Sequence, residues 1–452
     1  MSNRPAKGLA LLDNPYVAVP AGADDLGRNS SGDTDSGSRR AFIRGSLAAA
    51  SLAILGCGDE SQALLPDATG ADTGTNSDAS APDGGMPLSD SAIDGGELAC
   101  ADPFAGGTMV EVIPFLNEGS RPLEKLLGSG LDGRLYTDLA KLGPDDLITP
   151  NESFYIRTRY PDQLDASKPW AIDFKGLVKA EKSIAFADLE PLIQPAGTFL
   201  LECAGNGKGG SFGLLSAAKW DGIPMTKVLE LVDLDPSATR VHISGFDSHS
   251  QPSANNHSTP GAAWVFSFEQ LERAFLATHM NGVPLPKDHG FPVRLFNPRW
   301  YGCSCIKWVD QIRLTDDTEP ATSQMMEFAS RTHQNGEPPL AVSYAPAEMG
   351  QSATPVQIEK WEVDGETSYR VVGIMWGGER TTDKLMIRFN DDEAFQPVDL
   401  CPPQETNDTW TLWVHEWKPK THGIFGIQLA IDDPSVPTLR LDSGYYRRSV
   451  EI

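Results

Sequence analysis

From about Pro338 onward, apolar and polar positions alternate over short runs separated by turn residues. The runs 356–363, 369–375, 384–389, 410–417, 426–431 and 445–452 read as strands. Trp376-Gly377-Gly378 and Asn390-Asp391-Asp392 supply turns between them. Many short strands at this spacing predict an all-β immunoglobulin-like sandwich over 336–452. The preceding segment, 109–335, is more mixed. Positions 171–178 alternate like a strand, and 198–203 form an apolar run that ends in Ala204-Gly205-Asn206-Gly207, a strand feeding a loop. Positions 268–280 have helical spacing and stop at Asn281-Gly282, whereas 292–296 and 304–309 read as strands. The expectation is an α+β domain followed by the sandwich.

The head of the chain follows another pattern. Ser38-Arg39-Arg40-Ala41-Phe42-Ile43-Arg44 precedes a modest apolar stretch over 45–56 that ends in Ile54-Leu55-Gly56-Cys57. The stretch suits a signal h-region and is too short to span a bilayer. The arginine pair resembles a twin-arginine export signal, and the last four residues resemble a bacterial lipobox. Residues 1–56 are therefore expected to be a lipoprotein signal, with Cys57 carrying the lipid anchor on the periplasmic side, at the outer membrane in preference to the inner. Between 58 and 108 there are ten acidic residues and no basic one, among Ala, Gly, Ser, Thr and Pro. Such a stretch cannot bury enough apolar surface to offset its chain entropy, so 57–108 is read as a disordered acidic linker.

Composition narrows the function. The 452 residues carry 37 basic and 62 acidic side chains, a net charge of -25 that argues against a nucleic-acid partner and suits a basic protein partner. The six cysteines match neither a zinc spacing nor a C-x-x-C-H haem attachment. Whether Cys100 pairs with Cys401 is left open.

Three stretches hold candidate chemistry. In Glu202-Cys203-Ala204-Gly205-Asn206-Gly207-Lys208 a cysteine ends a strand and small residues follow, which lets a bulky group approach the backbone. Lys208 would favour the thiolate, although a buried core cysteine fits the same pattern. In the second stretch, His289 and Arg294 flank a Gly-Phe-Pro turn suited to a buried anion, and Lys307 alternates with apolar neighbours on its strand. Cys303 and Cys305 lie two apart on that strand and are read as packing residues. In the third, Arg157 and Arg159 share one face of an extended segment and could receive an anion or stand as a charged strand edge.

Taken in order, Phe154 to Arg157, Cys203-Ala204-Gly205-Asn206, the block from Met280 through His289-Gly290-Phe291-Pro292 to Arg294, and Gly302 to Trp308 resemble the sulfite oxidase family of molybdopterin enzymes. Ser216 to Gly222 resembles a further segment of that family. The resemblance implies one molybdenum-molybdopterin per chain, with Cys203 as the protein ligand of the metal. It places Phe154, Tyr155, Ile156, Arg157, Thr158, Asp247, His289, Arg294, Cys305, Ile306 and Lys307 at the cofactor, His289, Arg294 and Lys307 gripping its phosphate. Arg157 and Lys208 would hold the anionic substrate, sulfite by default, beside Cys203. It also implies a homodimer formed through the sandwich, and an external electron carrier such as cytochrome c. The sequence departs from the family in Thr158-Arg159 after Arg157, in Lys208 where an arginine is usual, and in the active-site tyrosine, for which Trp264 is the aligned residue. A reductase of S- or N-oxides and a non-catalytic surface-binding lipoprotein are the competing readings.

Overall fold

The computed structural model describes residues 103–129, 132–143, 147–159, 164–165, 167–249, 262–400 and 403–452. The expected export signal, Cys57, most of the acidic linker, Cys100 and Cys401 lie outside the described residues. Residues Glu97–Ile452 form one contact unit. Among the described residues no helix is long and apolar enough to cross a membrane.

Cys203 is placed by a five-stranded sheet. Its main path runs Val283–Pro284, Phe275–Met280, Leu215–Pro224, Gln194–Glu202, and Arg294–Phe296 pairs with Phe275–Met280. Successive side chains of a strand point to opposite faces, and here both faces are covered. Leu200, Leu215, Ala217, Ile223, Leu276 and Leu295 enter one core. Phe199, Leu201, Ala218, Trp220, Phe275, Ala277 and Phe296 enter a second. Burial on both faces turns the expected alternation into continuous apolar runs. That is why 268–280 had a helical look: the structure has a 3-10 turn at Glu269–Leu271 and then the strand Phe275–Met280. A short apolar run does not by itself distinguish a buried strand from a helix.

A second five-stranded sheet runs Ala263–Ser267, Arg240–Gly245, Val309–Thr315, Ala171–Gly176, Lys182–Ala185. Only the pairing of Val309–Thr315 with Ala171–Gly176 is parallel in this sheet. Here the expected strand over 304–309 is corrected: the regular strand begins at Val309, because Trp308 sits at φ 55 and residues 302–308 form turns and bends. Lys307 and the Cys303/Cys305 pair therefore belong to a loop tied to the first sheet, Gly302 N–H donating to the Glu202 carbonyl at 2.7 Å and Leu295 N–H to the Ile306 carbonyl at 2.8 Å. The described α-helices are short, the longest being Ser323–Phe328, so sheet dominates where α+β was expected.

The C-terminal strands fall where alternation placed them: Ser352–Val363, Glu366–Trp376, Leu385–Arg388, Thr411–Trp417, Ile424–Ile431 and Arg448–Glu451. They divide between a four-stranded and a five-stranded sheet. Two edge strands come from the other end of the chain: Thr108–Val112 pairs with Ser352–Val363, and Phe115–Leu116 pairs with Arg448–Glu451. Phe104, buried against Trp361 with ring centroids 5.5 Å apart, fixes this entry. The C-terminal residues and the Cys203 sheet share one continuous core.

Candidate active site

The strand Gln194–Glu202 delivers Cys203 to a tight turn. Its N–H donates to the Leu214 carbonyl at 3.0 Å, and its own carbonyl accepts from Asn206 N–H at 2.8 Å. The buried Asn206 amide then holds the loop, with Oδ1 accepting from Gly207 and Leu214 N–H, each at 3.1 Å. The Gly205 N–H points back at the Cys203 sulfur, 3.4 Å away. Burial pushes the Cys203 thiol up, and the Gly205 N–H and Arg157 oppose this.

Glu202, the neighbour of Cys203, is fully buried and ties this loop to the C-terminal segment. Its carboxylate accepts from Tyr446 at 2.7 Å, from Trp376 Nε1 at 3.1 Å and from Arg440 at 3.3 Å. Arg440, on the short helix Leu439–Asp442, also donates to the carbonyls of Ala204 and Arg331, each at 2.8 Å. Tyr445 donates to the Asn206 carbonyl. The turn that carries Cys203 is thus clamped from both ends by residues 174 to 244 positions away.

Two cavities meet at Cys203. The inner one, with an empty volume of about 790 Å³, is lined by Tyr155, Arg157, Thr158, Cys203, Asp247, Arg294, Cys305, Ile306 and Lys307 among others. The outer one, about 1690 Å³ and open to solvent, is lined by Arg121, Arg134, Tyr136, Arg331, Arg440 and Tyr445 among others. Arg157, Cys203, Glu327 and Phe328 line both.

The inner cavity holds two cations, Arg294 buried and Lys307 half-buried. Arg294 donates to the carbonyls of His289 at 3.2 Å and Cys305 at 3.0 Å, while its Nε is buried without a hydrogen-bond partner. Lys307 donates to the carbonyls of Asp288, Thr158 and Arg157 at 2.6, 3.0 and 3.3 Å. Neither is in an ion pair among the described residues. Burial, then the Arg294 charge, pushes the Lys307 ammonium down to about 7. Burial pushes the Asp247 carboxyl up to about 7, so it is largely protonated below neutral pH. Gly290 makes this packing possible: it sits at φ +112, and a Cβ there would stand 2.9 Å from Arg294 Cβ and 3.3 Å from Lys307 Cβ.

Three residues expected at the cofactor stand behind this wall. Phe154 packs edge-on to Trp220 and His289, ring centroids 5.8 and 5.3 Å away. Ile156 pairs with Leu135 in a two-stranded ladder. His289 is buried and lies outside both linings; burial, Lys307 and Arg294 hold its imidazole well below the usual range, in the neutral form.

Two expectations move. Lys208 opens a 3-10 turn at Lys208–Gly210 and lines neither cavity. Trp264, on the strand Ala263–Ser267, is buried in the main core and also lines neither cavity. The aromatic side chain at the seam is Phe328. Sequence reasoning missed Arg121, Arg134, Arg331, Arg440, Tyr136 and Tyr445, which carry no local motif and converge only through long-range folding.

With this geometry in view, comparison with known proteins is specific. Residues 158–323 match the oxidoreductase molybdopterin binding domain family. Mitochondrial sulfite oxidase of Homo sapiens is 25% identical over 293 residues, covering 60% of this chain and 53% of that protein. Nitrate reductase [NADPH] of Aspergillus niger is 31% identical over 194 residues, 39% of this chain and 22% of that protein. The crystal structure of the sulfane dehydrogenase SoxCD from Paracoccus pantotrophus has the same fold, with TM-score 0.53 and 17% identity over 78% of this chain and 86% of that one. The chain spans about half the length of the animal sulfite oxidases it matches.

The protein is a molybdopterin-binding oxidoreductase. It is similar to the sulfite oxidases, and the matched domain implies molybdenum-molybdopterin as its cofactor. The inner cavity fits that group: two cations without ion pairs, one with a buried, unpartnered N–H, suit a phosphate, and a sulfur at the mouth suits a soft metal.

Proposed function

We propose that the chain catalyses oxygen-atom transfer to a sulfur oxyanion, sulfite by default, with sulfite and water giving sulfate, two protons and two electrons. The observation that carries this reading is the position of Cys203, at the seam between a cavity lined by Arg294 and Lys307 and an arginine-lined vestibule. When bound, the molybdenum centre supplies the oxygen-atom and electron chemistry. The protein's own residues position and neutralise. Cys203 offers the thiolate ligand, Arg294 and Lys307 hold the cofactor phosphate with His289 packed behind them, and Asp247 hydrogen-bonds the pterin. Tyr155, Thr158, Cys305 and Ile306 wall the cofactor, with Phe154 and Ile156 supporting them. Arg157, which lines both cavities, faces the anion.

The remaining expectations belong to the same proposal. The two C-terminal sheets form an immunoglobulin-like sandwich through which the chain dimerises. Electrons leave to an external cytochrome, favoured by the net charge of -25. Residues 1–56 direct twin-arginine export, and Cys57 anchors the protein by lipid on the periplasmic side. A second reading, reduction of an S- or N-oxide, is favoured by Glu327, whose carboxylate at the seam disfavours a small dianion.

The test is sulfite-dependent reduction of cytochrome c by the molybdenum-loaded chain, run beside reduction of S- and N-oxides with an artificial donor. The first reading predicts turnover with sulfite and none with the oxides. Turnover confined to the oxides would replace it with the second.

A further inference from the structure

The outer cavity is lined by five arginines, and their charges are not equally engaged. Arg134 and Arg157 face Asp132 at 2.9 and 3.5 Å, and Arg440 faces Glu202 at 3.3 Å. Arg121 donates to the Tyr136 hydroxyl. Arg331 has neither kind of partner among the described residues; its guanidinium lies over the Phe328 ring, 5.0 Å from the centroid.

Its position is also the most pointed. A Cβ on Gly205 would stand 3.6 Å from Arg331 Nη1 and 3.8 Å from Cys203 Sγ. The guanidinium and the sulfur therefore flank the bare face of one glycine. The same point on Gly209 lies 3.7 Å from Arg121 Cζ, four residues further along the loop. Arg440 fixes the arrangement by donating to the carbonyls of both Ala204 and Arg331 at 2.8 Å. Arg331 follows the helix Ser323–Phe328, which brings Glu327 and Phe328 to the seam, so one segment supplies Glu327, Phe328, Ser330, Arg331 and His333 to the vestibule.

We propose that Arg331 is the specificity-determining cation of this chain, gripping the oxyanion end of the substrate beside the Cys203 sulfur, in the role expected of Lys208. A planar guanidinium offers two parallel N–H donors to an oxyanion, which a lysine cannot. The inference rests on the oxyanion reading given under Proposed function, but not on sulfite being turned over.

The test uses the full, molybdenum-loaded chain in four forms: wild type, Arg331→Gln, Arg331→Lys and Lys208→Gln. Inorganic sulfate, which binds without turnover, is titrated at equilibrium, and the KM and kcat for sulfite are measured separately. Arg331→Gln is expected to weaken sulfate about 10- to 150-fold and to raise KM similarly, with kcat changed far less and molybdenum content unaltered. Arg331→Lys should fall between it and the wild type, and Lys208→Gln should shift both quantities less than Arg331→Gln. The proposal is overturned if the wild type binds no sulfate, if Arg331→Gln binds it as tightly as the wild type, or if its loss only follows lost molybdenum. A larger loss in Lys208→Gln would overturn it equally. Arg331-dependent sulfate binding without sulfite oxidation would support the proposal and remove only sulfite as the substrate.

Discussion

The inner and outer cavities share Cys203 yet balance their charges differently. In the inner cavity the buried Arg294 and half-buried Lys307 are hydrogen-bonded by backbone carbonyls alone. Two uncompensated cations in a low-dielectric site are costly unless an anion arrives, and the depressed Lys307 ammonium registers that cost. In the outer cavity three of the five arginines already have carboxylates, and solvent reaches the rest. The contrast teaches that the inner cavity is completed by its ligand. The outer one is largely complete in itself, with one cation free to meet a transient substrate.

Breaking the clamp between the cavities should have the largest effect. Arg440→Met leaves Glu202 buried without its cation, which costs about 3–5 kcal/mol in urea denaturation. Glu202→Gln combined with Arg440→Met should recover much of that loss. If Arg440→Met costs under about 1 kcal/mol, the clamp is ornamental.

Next comes a pH effect in the cofactor-free protein. The Asp247 carboxyl is raised by burial, from 3.8 to about 7. The folded state therefore binds a proton that the unfolded state has released. Stability contributed by this group is complete below pH 3.8, falls as pH rises and is lost above about 7, on the order of 4 kcal/mol in all. Asp247→Asn should flatten the fall in stability between those limits. An unchanged profile in the variant would remove Asp247 as a buried, protonated partner for the pterin.

The smallest of the three is local to the phosphate grip. Lys307→Gln should weaken cofactor retention by roughly 10- to 150-fold, measured as pterin and molybdenum remaining after dialysis. The same change at Lys208, outside both linings, should cost less. Equal losses from the two would erase the distinction drawn between the cavities.

What the sequence revealed follows the same division. The inner wall was legible because its residues sit in contiguous motifs, around Arg157, Cys203, Asp247, Arg294 and Lys307, whose spacing survives without knowledge of the fold. The C-terminal strands were legible because they alternate. The vestibule was not: Arg331, Arg440 and Tyr445 reach Cys203 only because the C-terminal segment folds back onto its loop. Position along the chain put Lys208 beside Cys203, whereas in the structure it opens the turn after Gly207 and lines neither cavity. Burial on both faces disguised Phe275–Met280, and the left-handed backbone of Trp308 ended a strand that the apolar pattern had extended. The edge strands Thr108–Val112 and Phe115–Leu116 gave little signal because their side chains are exposed or half-buried.

The most direct test of the central claim is the molybdenum content of the full chain, produced in cells that make molybdopterin, beside a Cys203→Ser variant of equal thermal stability. The account predicts about one molybdenum per chain in the wild type and a large loss in the variant, because serine replaces the soft thiolate with a hard oxygen. Equal molybdenum in the two proteins, or none in a correctly folded wild type, would contradict it.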